Sequence, residues 1–166
     1  MRIFGSRKKY DDKVEKLVPS ANILAISSFT MFLDAHNELW TVDPKEYDFF
    51  VTVAGISVGL MGLADNVTNE SEYNRLTKIL SKKIIEWDKN GELALVDLMT
   101  RMVKYQDEMM SLPPDEFTKL WAFQISSWCF VNLNLKIPKE PPKPNHLMFQ
   151  LGMLLIVSFH DWWNEK

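Results

Sequence analysis

Residues Phe49–Ala64 read FFVTVAGISVGLMGLA, an uncharged run fenced by Asp48 and Asp65. Thr52, Gly55, Gly59, Gly62 and Asn66 recur within it at alternating spacings of three and four. On a helix that spacing makes one narrow stripe of small residues. A glycine inside a helix costs roughly 1 kcal/mol against alanine. Gly55, Gly59 and Gly62 on one face therefore predict something pressed closely against it. Thr52, Gly55, Gly59 and Gly62 are expected to face either another helix or a ligand, and to mark the centre of the fold.

The run has 16 residues, about 24 Å as a helix, against about 30 Å of bilayer hydrocarbon. Leu147–Phe159 is a second apolar run, and shorter still. Both are read as core helices of a bundle with no transmembrane span, although small-residue stripes also pack helices in lipid.

Outward from this segment the hydrophobic period is helical nearly everywhere. A first helix is expected over Asp11–Val18, bent or restarted at Pro19, and continuing over Ala21–Leu33. Asp43-Pro44 opens the glycine-striped helix, Asp43 as N-cap and Pro44 at the first helical position. Asn69 or Ser71 starts the next, with Tyr73, Leu76, Leu80, Ile84 and Trp87 as its buried seam. Asn90-Gly91 stops it. Leu95, Leu98, Met99, Met102, Val103 and Met110 mark another amphipathic helix, and Pro113-Pro114 ends it and begins its successor.

Pro138–Pro144 reads PKEPPKP and predicts an extended connector over residues 136–145. It also fits a minimal PxxP ligand, a pattern common by chance. Asn145 is then expected to cap a final helix, apolar nearly all round, reaching to about Trp163. The predicted fold is all-α: a single domain over 1–166, a compact bundle of about six helices with mostly antiparallel neighbours. Residues 1–10 are set apart as a basic, disordered arm.

Composition narrows the function classes. The net charge is −3 and apolar residues make up 46%, an ordinary globular mixture with no nucleic-acid footprint. Arg2, Arg7, Lys8, Lys9, Lys13 and Lys16 make the first sixteen residues basic, a weak basis for contact with a membrane surface. Cys129 stands alone, so no intrachain disulfide forms, and no apolar signal core follows the basic start. A cytoplasmic location is expected.

Catalytic patterns are missing. There is no paired Glu-x-x-His, no paired cysteine motif, no HExxH, no phosphate loop and no nucleophile elbow. Asp11-Asp12-Lys13-Val14-Glu15 resembles the acidic pattern that holds magnesium in helical diphosphate enzymes. It occurs once, without the partner elements, and is read as a solvated charged turn. His36, Glu38, His160 and Asp161 would form a metal or acid–base site only if two helix ends met. A histidine near a helix C-terminus is otherwise explained by the dipole. Trp162 and Trp163 on a continuing helix point about 100° apart, so at least one is expected at an interface.

The expected function is non-enzymatic: a regulatory or adaptor-like protein acting through protein–protein interaction, self-associating as a homodimer or homo-oligomer, with no cofactor and no nucleic acid. One alternative is a binder of a small apolar ligand in a helix-lined, methionine-rich pocket. The other is a metal-dependent enzyme using His36 and His160.

Overall fold

A computed structural model describes residues 3–164. The described chain folds into six packed helices, α1 (Ile3–Leu33), α2 (Pro44–Asn66), α3 (Glu70–Trp87), α4 (Gly91–Met110), α5 (Pro114–Asn132) and α6 (Leu147–Phe159), with a short 3-10 turn at Asn37–Thr41. No strand forms among the described residues.

Most helix starts follow the local chemistry. Asp43 Oδ1 accepts the backbone N–H of Lys45 at 2.9 Å, with Pro44 in the first turn of α2. Asn69 Oδ1 accepts from the Glu72 N–H at 2.9 Å and starts α3. In each case the side chain satisfies a donor that the first turn leaves open. The cap of α6 departs from expectation. His146, not Asn145, accepts the Met148 N–H, through Nδ1 at 3.1 Å.

Pro19 does not interrupt the first helix. α1 runs through it as one element of 31 residues. The missing N–H and the ring sit on the exposed side, where the helix can bend away from its core face. Val14, Leu17, Val18, Ala21 and Ala25 are all buried along the opposite side, and that packing holds the helix together across the proline. The backbone is helical from Ile3, so α1 takes in most of the stretch set apart as an arm. Met1 and Arg2 lie outside the described residues.

α2 is the central element and packs against α1, α4, α5 and α6. Its register with α1 is antiparallel. Ser28 Oγ meets Tyr47 Oη at 3.0 Å, Asn22 Nδ2 donates to Thr52 Oγ1 at 3.2 Å, and Tyr10 Oη donates to the Asn66 carbonyl at 3.4 Å. α3 runs parallel to α1, tied by Arg75 to Asp11 at 2.5 Å and by Lys83 to Glu15 at 2.8 Å. Asp11 and Glu15 therefore belong to inter-helix ion pairs rather than to a solvated turn. Hydrogen bonds that the Arg75 guanidinium donates to Glu72 and then to Asp11 push it above its ordinary pKa.

At 23 residues, α2 is longer than its uncharged run, because Lys45, Glu46 and Asp48 extend it at the front. Length thus no longer argues against a span: α2 and the Tyr10–Leu33 part of α1 are both long and apolar enough to cross a membrane. Within this chain, 67% of the α2 window is covered by protein.

Candidate functional site

The glycine stripe is filled by the chain itself. A methyl group placed on Gly59 would meet Leu17 Cδ1 at 2.7 Å, and one on Gly55 would meet the Phe159 ring at 3.0 Å and Ala21 Cβ at 3.2 Å. One on Gly62 would meet the His160 carbonyl at 3.0 Å and Trp163 Cδ1 at 3.3 Å. Thr52 is fully buried. The stripe is a close-packing surface shared between α1 and the end of α6. No room for a ligand is left along it.

The tryptophan pair is also occupied within the chain. α6 ends at Phe159, short of the expected Trp163, and residues 160–163 follow as turns. Both rings fold back on the bundle. Trp163 is 1% exposed, and its Nε1–H donates to the Gly59 carbonyl at 2.6 Å. Trp162 is half-buried. Its Nε1–H donates to the Lys13 carbonyl at 3.1 Å, while Lys13 Nζ lies 5.3 Å above its ring and donates to its carbonyl at 2.7 Å. These contacts withdraw Trp163 from any intermolecular surface, leave Trp162 half-buried, and draw Lys13 into the fold.

The two histidine ends do not meet. His36 is buried; its Nε2 shares a hydrogen bond with Gln150 Oε1 at 2.8 Å and its Nδ1 lies 3.8 Å from Glu38 Oε1. His160 is exposed beside Asp161, at 3.1 Å. Gln150 and His160 are ten residues apart along α6, roughly 15 Å at the helical rise. No group of three potential metal ligands gathers among the described residues, so the His36/Glu38/His160/Asp161 site is not assembled.

A different concavity lies on the opposite side of α2. A cavity of about 330 Å³ opens between the C-terminal halves of α2 and α4 and the start of α5. Leu60, Met61, Ala64 and Asp65 of α2 contribute one wall. At 100° per residue Leu60, Met61 and Ala64 fall on the far side from Gly55, Gly59 and Gly62, and Asp65 lies between the two faces. Met99, Met102, Met109 and Met110 of α4 form another, so the cavity takes more than half of the chain's nine methionines. Phe117 and Trp121 close the floor, with ring centroids 5.8 Å apart, and Trp121 meets the His160 ring edge-on at 5.8 Å. Tyr73, Gln106, Asp65 and His160 are the polar members of the lining.

Two further features bear on function. Leu93, Val96, Val103 and Met110 are 75%, 56%, 64% and 73% exposed. Their spacing of three or seven places them on one outward line of α4, and the last two also form the lip of the cavity. Cys129 is fully buried, with Sγ 3.8 Å from the Phe50 carbonyl, and burial pushes its thiol up to about 12. A nucleophilic role is excluded by both facts. Cys129 should stay unlabelled by a thiol reagent at mildly alkaline pH in the native protein and react fully in urea; prompt native labelling would show that the α2–α5 contact opens readily.

The cavity wall was not anticipated from sequence beyond the general expectation of a methionine-rich pocket. Its signal is the clustering of Met99, Met102, Met109 and Met110 on one helix, and a core seam explains that pattern equally well. Comparison of the chain with protein-family models, with curated proteins and with solved structures found no match.

Proposed function

We propose that this chain is a binding protein for a small apolar ligand, held in the methionine-lined cavity between α2, α4 and α5. The observation that carries the reading is the lining itself. About 330 Å³ walled largely by thioethers and aromatic rings lies at the lower end of small-molecule sites. Methionine is unbranched and polarizable, and it adapts its shape to an apolar guest. The polar groups are few and sit among apolar neighbours, a composition suited to orienting a ligand.

Titration with a neutral fluorescent probe such as N-phenyl-naphthylamine tests this, read beside the methyl NMR signals of Met99 and Met102. Saturable binding that shifts both methyls is expected. Ala64 is exposed at the cavity mouth, so Ala64→Trp should weaken binding about tenfold, a loss of about 1.4 kcal/mol, with little change in melting temperature. Binding that leaves the methyls and the Ala64→Trp variant indifferent would sink the reading.

Self-association is a second reading, supported by the exposed line Leu93, Val96, Val103 and Met110 on α4. Apolar side chains at heptad-like spacing suit a helix of a second copy. Light scattering behind size-exclusion chromatography is expected to give a dimer that Val96→Glu with Val103→Glu converts to a monomer. A monomer for the unmodified chain at high micromolar concentration rules this reading out.

A further inference from the structure

Trp121 differs in one respect from the other two buried tryptophans, Trp128 and Trp163, and from half-buried Trp162. Its side chain is a donor only, through Nε1–H. Trp128 gives that hydrogen to Asp97 Oδ2 at 2.7 Å, Trp162 to the Lys13 carbonyl and Trp163 to the Gly59 carbonyl. Even exposed Trp40 donates to the Leu33 carbonyl at 3.2 Å. Trp121 is 3% exposed, yet its Nε1 is buried with no hydrogen-bond partner among the described residues. It is also a lining residue of the cavity. A buried donor left unpaired is costly, and the methionine side chains of the neighbouring α4 wall can shift to let a guest reach it.

We infer that the cavity takes an uncharged molecule with an apolar body and one hydrogen-bond acceptor, a carbonyl or ether oxygen, that receives the Trp121 indole N–H; this rests on the binding reading above. The charge of the guest follows from the lining. Among the described residues no lysine or arginine borders the cavity, Asp65 contributes a carboxylate, and His160 is already beside Asp161 at 3.1 Å. A carboxylate carried into such a site would lose its water without gaining a cation. Fatty-acid-like anions are therefore disfavoured against neutral carbonyl compounds of the same length. Size sets the other limit: at about 330 Å³ the cavity suits a chain or ring system well below the bulk of a membrane lipid.

Three probes of one chain length separate the elements of this inference: methyl octyl ketone, decane and decanoate, each titrated into the unmodified protein. Two NMR readouts are followed together, the indole N–H of Trp121, identified by its loss in Trp121→Phe, and the methyls of Met99 and Met102. The ketone should move the methyls and shift the Trp121 indole proton downfield. It should bind about tenfold more tightly than decanoate, and Trp121→Phe should weaken the ketone about tenfold, one hydrogen bond's worth, while leaving decane unchanged. If the ketone moves the methyls but not the indole proton, and matches decane in affinity, the acceptor contact is wrong and the cavity reading survives. Decanoate binding as tightly as the ketone would overturn the preference for an uncharged guest. If no probe moves the methyls, the cavity reading fails and this inference fails with it. Should Trp121→Phe not fold, the indole resonance is assigned in the unmodified protein through its contacts with Phe117, and its shift decides.

Discussion

Trp163→Ala should lower the unfolding free energy by about 4 kcal/mol, within the range for cutting a buried aromatic to a methyl. The expectation rests on where the ring sits. Trp163 is 1% exposed, it covers Gly62 with Cδ1, and it anchors the end of the chain to α2 through the Gly59 carbonyl at 2.6 Å. Tyr10 of α1 lies 6.3 Å from it, ring to ring, so the cavity left by alanine would border α1, α2 and the C-terminal turns at once. Few side chains can move into such a junction, and poor relaxation is what makes a deletion expensive. For a domain of this length the melting temperature should fall by roughly 8–16 °C. Trp162→Ala is the control. That ring is half-buried and held mainly by Lys13, and its removal should cost about 1–2 kcal/mol. Urea unfolding of the two variants checks the contrast, and equal losses would show that Trp163 is not the anchor.

Gly152→Ala should destabilise by about 2 kcal/mol even though alanine favours a helix. Two effects oppose each other here. Alanine gains about 1 kcal/mol in helix propensity over glycine. Against this, a methyl group on Gly152 would run into the backbone carbonyl oxygen of Ala122 on α5. Backbone in the middle of a helix cannot swing away as a side chain can, so α5 and α6 would have to separate, and overpacking of this kind costs about 1–3 kcal/mol and sometimes more. The clash is severe enough to put this case at or beyond the upper end. Gly59→Ala provides the comparison. Its methyl would meet the Leu17 side chain first, which can rotate in part, and the net loss should be smaller, about 1 kcal/mol. Thermal melts of both variants test the order. A neutral or stabilising Gly152→Ala would mean that α5 and α6 have slack at their crossing.

The helices were legible because their signals are local. Asp43-Pro44 and Asn69 act on the residues next to them, and α2 and α3 begin there; Asn90-Gly91 is not the expected left-handed stop, since α3 already ends at Trp87 and Gly91 is the first residue of α4. The buried seam Leu76, Leu80 and Ile84 followed from a 3.6-residue period, and all three are buried. At Pro19 the sequence leaves a bend or a restart open, and the helix does not restart. The local effect of the proline is unfavourable, but the buried face of α1 lies on the other side and overrides it. The stop of α6 at Phe159 was missed because nothing in His160-Asp161-Trp162-Trp163 breaks a helix strongly. The chain turns there so that Trp163 can reach the Gly59 carbonyl, which is distant in sequence.

The candidate site divides in the same way. The small-residue stripe could be read directly, because each glycine inside a helix carries a propensity cost that implies close contact. What fills it could not be read. Leu17 and Ala21 of α1 share the stripe with Phe159 and Trp163, and only the antiparallel register of α1 on α2 brings the first two there. Sequence by itself determined the all-α class, the capped starts of α2 and α3, the non-helical proline segment and the central place of α2, since each depends on periodicity or on neighbours a few residues away. Tertiary structure alone decided that His36 and His160 stand at opposite ends of α6, that both terminal tryptophans pack inward, and that the methionines of α2 and α4 line one cavity with Trp121. Those outcomes depend on how helices rotate and cross, and a helix with apolar residues on more than one face can satisfy its local pattern in several rotations.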